Sequence, residues 1–245
     1  QRKDQDVPSP LIALSTGSTL LNLACTGDWR GGFLPGKYYY LVGDASSGKT
    51  FLAITCFAEA LLHPQFNHHR LIYDNTEDGC LIDIPGLFGS KLARRIEPPA
   101  VEDDEPHYSG TVEEFYFRLD DAVRAGKPFI YVLDSMDALT SESEEEKFEK
   151  RKKAFYKGRE VAGSYGDGKA KQNSQGLRKV LGGLRDSGSI LIITSQTRDN
   201  LGFGFERKTR SGGHALRFYA TIEGWTSIAG TIKRYVKGKD RAVGV

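Results

Sequence analysis

Eight consecutive residues, Gly43-Asp44-Ala45-Ser46-Ser47-Gly48-Lys49-Thr50, fit the pattern G-x-x-x-x-G-K-[ST]. Glycines at those positions let the backbone fold around a phosphate, so that successive N–H groups point inward. Lys49 then reaches the β- and γ-phosphates of a nucleoside triphosphate and Thr50 ligates Mg²⁺, while the following helix adds the positive end of its dipole. Asp134 closes the apolar run Phe129-Ile-Tyr-Val-Leu-Asp134. A carboxylate at the C-terminal end of such a strand holds the same Mg²⁺. Glu77 follows the run Leu71-Ile-Tyr-Asp-Asn-Thr, where a carboxylate can polarise the water that attacks the γ-phosphate. Asp74 and Asp78 are neighbouring candidates for that task. Gln196 ends the run Ile190-Leu-Ile-Ile-Thr-Ser-Gln196, and its amide can bond the γ-phosphate and report its loss to the segment beyond.

These residues act together only if their strands end at one edge of a sheet. The β-rich run 38–42 meets Gly43, and a helix over 50–62 stops at His63-Pro64. Further strands are expected at 71–73, 129–133 and 190–194, with helices over 112–125 and 175–185. Residues 220–228 and 231–236 read as a closing pair of strands. Residues 97–110 read as an acidic, proline-rich loop, and 200–213 as a long glycine-containing one. Residues 1–14 carry Pro8 and Pro10 and read as an extended arm before a single unit over 15–245. Buried strands without polar alternation, separated by helices, predict an α/β domain with a mainly parallel twisted sheet covered on both faces.

Composition limits the alternatives. The 245 residues are 39% hydrophobic and 27% charged, with a mean hydropathy of −0.42, as in an ordinary globular domain. No apolar run approaches the roughly 20 residues that span a bilayer, and no signal-peptide pattern is present. Three cysteines, Cys25, Cys56 and Cys80, are too few and too scattered for a disulfide framework or a zinc site, which predicts a reducing intracellular compartment. The only methionine is Met136 and the first residue is Gln1, so the terminus reads as trimmed or processed. Charge is unevenly placed: residues 1–146 hold 12 Lys and Arg against 24 Asp and Glu, and residues 147–245 hold 22 against 8. A basic second half is an electrostatic footprint for a polyanion.

Four stretches, in order, resemble the RecA-family recombinase core: Ser15-Thr16-Gly17-Ser18, the loop ending Ser46-Ser47-Gly48-Lys49-Thr50, Leu133-Asp134-Ser135-Met-Asp-Ala-Leu-Thr140, and Ser211-Gly212-Gly213-His-Ala-Leu216-Arg-Phe218-Tyr219-Ala220. The last is similar to the family's T-G-G-N-A-L-K-F-Y-A stretch. The resemblance implies a RecA-like P-loop NTPase that takes ATP and Mg²⁺, is DNA-dependent, assembles as a homo-oligomer on single-stranded DNA and exchanges strands with double-stranded DNA in a bacterial or phage-infected cytoplasm. It supports Lys49 and Thr50 on phosphate and metal, Asp134 at the metal, Glu77 as the catalytic carboxylate and Gln196 as the γ-phosphate sensor. It places DNA-binding loops near 159–172 and 197–213, and it assigns Lys237 and Lys239 to the ATP of the neighbouring subunit. Seven of the 22 Lys and Arg in residues 147–245 fall in those two loops. Arg159, Lys169, Lys171, Arg198, Arg207, Lys208 and Arg210 are expected on DNA phosphates, with Tyr165, Phe203 and Phe205 stacking on or wedging between bases. Only 14 residues precede Ser15 and no small C-terminal domain is expected, which points to a phage-type or shortened member. Competing readings are a ring helicase of the DnaB type, with Arg234 and Arg241 as candidate arginine fingers, a RadA-like branch-migration motor, and a regulatory RecA paralogue.

Overall fold

Strand residues that are buried on alternate sides need cover on both faces of their sheet, and every residue of the run Phe129–Asp134 is buried. The computed structural model describes residues 12–77, 82–158, 168–199, 208–210, 213–236 and 239–244. In chain order the first elements are α1 (Thr19–Thr26), β1 (Lys37–Gly43), α2 (Lys49–Leu62), β2 (Arg70–Asn75), α3 (Ile84–Phe88), α4 (Ser90–Arg95), β3 (Ala100–Glu102), β4 (Glu105–His107) and α5 (Val112–Arg124). Then come β5 (Phe129–Asp134), α6 (Glu142–Tyr156), α7 (Gly168–Ser187), β6 (Ile190–Asp199), β7 (Lys208–Arg210), α8 (His214–Tyr219), β8 (Ile222–Thr226), β9 (Ile232–Val236) and β10 (Lys239–Gly244).

The main sheet has the order β2-β5-β6-β1-β8, all parallel, with β7 added antiparallel to the end of β6. Alternation along the strands builds two cores. On one face Tyr38, Tyr40, Tyr131, Leu133, Leu191 and Ile193 pack with Phe115 and Leu119 of α5 and Leu177 and Leu184 of α7. On the other, Tyr39, Leu41, Ile130, Val132 and Ile192 pack with Ala53, Ile54 and Phe57 of α2. The α/β fold, with a mainly parallel sheet and helices on both faces, is therefore as the sequence predicts. Helix α5 begins where the Thr111 side chain accepts from Glu114 N, a cap worth about 1 kcal/mol. Helix α6 has no buried residue. It stands on its Ser141–Glu144 capping box, with acidic residues in its first turn and Lys153 in its last, the polarity that a helix dipole favours.

Three local expectations are corrected. Residues 220–228 and 231–236 do not pair with each other: β8 joins the main sheet beside β1, and β9 pairs with β10 in a separate antiparallel ribbon. The free edge of β1 offers β8 a parallel neighbour buried by the sheet, whereas only two residues separate β9 from β10, the hairpin spacing. Within 97–110, β3 and β4 form a small hairpin whose turn residues Asp103 and Asp104 both take positive φ, a conformation that aspartate tolerates better than most residues. The loop expected over 200–213 contains β7, held by Thr197↔Arg210 and Asp199↔Lys208. Among the described residues no helix is long and apolar enough to cross a membrane.

Candidate active site

Register determines which strand ends meet. Gly43 lies beside Gln196 and Asn75 beside Asp134, so β1, β5 and β2 end at one edge, which β6 reaches at Gln196. The phosphate-loop residues Gly43, Asp44, Ala45, Ser46, Ser47, Gly48, Lys49 and Thr50 cross that edge from β1 into α2. Gly48 has φ +90°, which only glycine adopts without strain. A Cβ on Gly43 would collide with the hydroxyl of Thr226 in β8, so the loop's first glycine is required by close approach. Thr226 Oγ1 also lies 2.6 Å from Ser47 Oγ, which ties the loop to the sheet's edge strand.

Lys49 is 7% exposed, and its Nζ donates to the carbonyls of Gly43 (3.0 Å) and Asp44 (2.7 Å). Burial pulls its pKa below the usual lysine value, and the carboxylates of Glu77, Asp134, Asp137 and Asp44 oppose that shift. Thr50 Oγ1 donates to Asp134 Oδ2 at 2.7 Å. Tyr73 OH reaches the same oxygen (3.1 Å), and Thr194 Oγ1 donates to Asp134 Oδ1 (2.6 Å). Asp134 is thereby locked in orientation on three sides. A threonine hydroxyl beside a carboxylate is the hard oxygen set that Mg²⁺ takes, so these residues fit that ion.

The turn after β2 is held against the end of β5: Thr76 N and Glu77 N both donate to Asp134 O, and Thr76 Oγ1 donates to Ser135 O. This delivers the Glu77 carboxylate to Ser135 Oγ and to Gln196 Nε2, the latter at 3.0 Å. Asp74 points elsewhere. It is buried in the opposite layer, where it accepts from Ser109 N (3.0 Å), Ser109 Oγ (2.6 Å) and Tyr131 OH (2.8 Å). Asp78 lies outside the described residues. Three contacts carry no sequence signal of their own: Asp137 Oδ2 accepts from Ser195 Oγ and Gln196 N, and Thr197 Oγ1 donates to Asp44.

Of the residues expected on DNA, five lie among the described ones. Lys169 and Lys171 sit in the first turn of α7, while Arg198 of β6 and Lys208 and Arg210 of β7 belong to one short ribbon. A Cβ on Gly213 would lie 2.6 Å from Ala170 Cβ, so the segment leading out of the second loop abuts the start of α7. Arg159, Tyr165, Phe203, Phe205, Arg207 and Lys237 lie outside the described residues. Lys239 opens β10, exposed, and Arg234 and Arg241 face each other across β9 and β10.

No family model matches the chain. Curated proteins do. It is 30% identical over 228 residues to Protein RecA of Corynebacterium pseudotuberculosis, covering 90% of this chain and 53% of that relative. It is 31% identical over 226 residues to Protein RecA of Corynebacterium aurimucosum (89% and 51%), and 29% identical over 214 residues to Protein RecA of Colwellia psychrerythraea (85% and 53%). The chain spans about half the length of these relatives. Similarity sustained over nearly the whole chain, on an α/β sheet that carries the phosphate loop at its edge, supports a RecA-family core.

Proposed function

We propose that this chain is a DNA-dependent ATPase that assembles with copies of itself on single-stranded DNA, pairs that strand with duplex DNA and exchanges strands. The observation that carries the reading is the meeting, at one sheet edge, of the buried Lys49 ammonium, the Thr50–Asp134 pair and the Glu77–Gln196 pair. Lys49 and the loop N–H groups bind the β- and γ-phosphates of ATP; the two carbonyls on Lys49 already hold its ammonium beside that site. Thr50 and Asp134 hold Mg²⁺, which when bound neutralises phosphate charge as a Lewis acid. Glu77 takes the proton of the attacking water. Gln196 is shared between that carboxylate and the γ-phosphate, and in β6 it immediately precedes the residues that pair with β7.

On this reading DNA phosphates meet Arg159, Lys169, Lys171, Arg198, Arg207, Lys208 and Arg210. Tyr165, Phe203 and Phe205 contact bases, Lys237 and Lys239 serve the adjacent subunit's ATP, and residues 1–14 form an arm on the core over 15–245. Phosphate release from ATP and Mg²⁺, with and without single-stranded DNA, tests the proposal. Wild type is expected to hydrolyse ATP faster with DNA, and Lys49→Ala to be inactive because the phosphate charge in the loop is left uncompensated. Wild-type turnover by Lys49→Ala would overturn the nucleotide site. A DNA-stimulated ATPase that moves along DNA without pairing strands would turn the reading to a helicase-type motor.

A further inference from the structure

We propose that Asp137 is a positioning residue for Gln196, and through Gln196 for Glu77; the inference rests on the ATPase reading above. Strands β5 and β6 stay paired as far as Leu133↔Ile193. Beyond that point β5 ends at Asp134 and the chain turns, Ala138 N donating to Ser135 O, while Met136 N still reaches Thr194 O. Strand β6 continues past it to Asp199. On its other side β1 keeps company with β6 as far as Gly43↔Gln196. On the β5 side, a side chain takes over from the missing strand: Asp137 Oδ2 accepts from Ser195 Oγ at 2.7 Å and from Gln196 N at 2.6 Å.

Hydrogen bonds to an ionised acceptor are roughly twice as strong as neutral ones, and this pair grips two consecutive residues. The Gln196 side chain then crosses to Glu77 Oε1 at 3.0 Å. One carboxylate thus anchors the backbone from which the amide projects, and a second receives its tip. Asp137 contributes differently to Lys49, whose charged form it favours along with Glu77, Asp134 and Asp44. These two contributions can be separated. Holding Gln196 requires only an acceptor oxygen, whereas acting on Lys49 requires the charge.

The full chain carrying Asp137→Ala or Asp137→Asn distinguishes them, with kcat and KM for ATP measured alongside amide hydrogen exchange at Gln196. In Asp137→Ala the Gln196 amide should exchange faster and kcat fall by about 10²-fold, the scale of a catalytic group misplaced by an ångström, with KM within about 3-fold of wild type. In Asp137→Asn the carbonyl oxygen can accept both bonds, so exchange and kcat should stay within about 3-fold of wild type. A kcat unchanged in Asp137→Ala, or Asp137→Asn as slow as Asp137→Ala, overturns the proposal. If Asp137→Ala does not fold, Asp137→Leu, which also lacks the acceptor oxygen, takes its place with the same expected and overturning outcomes. If wild type hydrolyses no ATP, the ATPase reading fails by itself. Hydrogen exchange then decides, because a Gln196 amide as protected in Asp137→Ala as in wild type overturns the positioning role, and one exposed in Asp137→Ala but protected in Asp137→Asn upholds it.

Discussion

Glu77 and Asp74 lie three residues apart and both are carboxylates at the end of β2, yet their replacements should fail in opposite ways. In Glu77→Gln the side-chain oxygen can still accept from Ser135 Oγ and Gln196 Nε2, so the fold and ATP affinity should be kept. What disappears is the proton acceptor. General-base catalysis contributes at least about 10²-fold, or roughly 2.7 kcal/mol of barrier, so hydrolysis should slow by that factor or more. Asp74→Asn instead replaces a buried carboxylate that accepts three hydrogen bonds. Its amide group must face either Ser109 N or the hydroxyls of Ser109 and Tyr131, and a mismatched buried polar group costs about 1–3 kcal/mol. For a domain of this size that is a fall in melting temperature of about 2–12 °C. Phosphate release, equilibrium binding of a fluorescent ATP analogue and a thermal melt separate the two. The reasoning fails if Asp74→Asn blocks hydrolysis at unchanged stability while Glu77→Gln turns over normally.

Two further outcomes concern charge away from the phosphate loop. Replacing Arg207, Lys208 and Arg210 together should weaken single-stranded DNA binding and flatten the log–log salt slope by up to about three units; an unchanged slope would put the DNA elsewhere on the molecule. If Lys237 and Lys239 serve the neighbour's ATP, a Lys237→Ala/Lys239→Ala variant mixed with Lys49→Ala should regain DNA-stimulated turnover that neither shows alone. A mixture no more active than its components, beside a DNA-stimulated wild type, removes the role in trans.

The phosphate loop was legible because its spacing is local: eight contiguous residues dictate a backbone path whatever surrounds them. Asp134 was legible for a related reason, since an apolar run ending in a carboxylate marks the point where a buried strand ends and a polar site begins. The choice among Asp74, Glu77 and Asp78 was not, because it depends on which way each side chain leaves β2. Strand alternation sends Asp74 to Tyr131, and the bonds from Thr76 N and Glu77 N to Asp134 O bring Glu77 round to the loop. Asp137 carried no signal, as its partners Ser195 and Gln196 lie 58 and 59 residues away. Pairing of the last strands was misjudged for the same reason: whether β8 prefers β9 or β1 is decided by an edge formed early in the chain.

The sheet order also has a consequence for how the chain reaches its folded state. Strand β1 carries the apolar run Tyr38-Tyr39-Tyr40-Leu41-Val42 and lies between β6 and β8, with Lys37 opposite Ile190 and Tyr39 opposite Ile222. Both of its neighbours are therefore made last. During synthesis β2 and β5 can pair while β1 waits with two bare edges and two apolar faces, the situation in which unpaired strands recruit one another. Contacts this distant along the chain also slow the search for the native arrangement. Any product that stops short of β6 has no partner for its central strand, so the phosphate loop, although encoded near the start, takes its working shape only when the far end of the chain arrives.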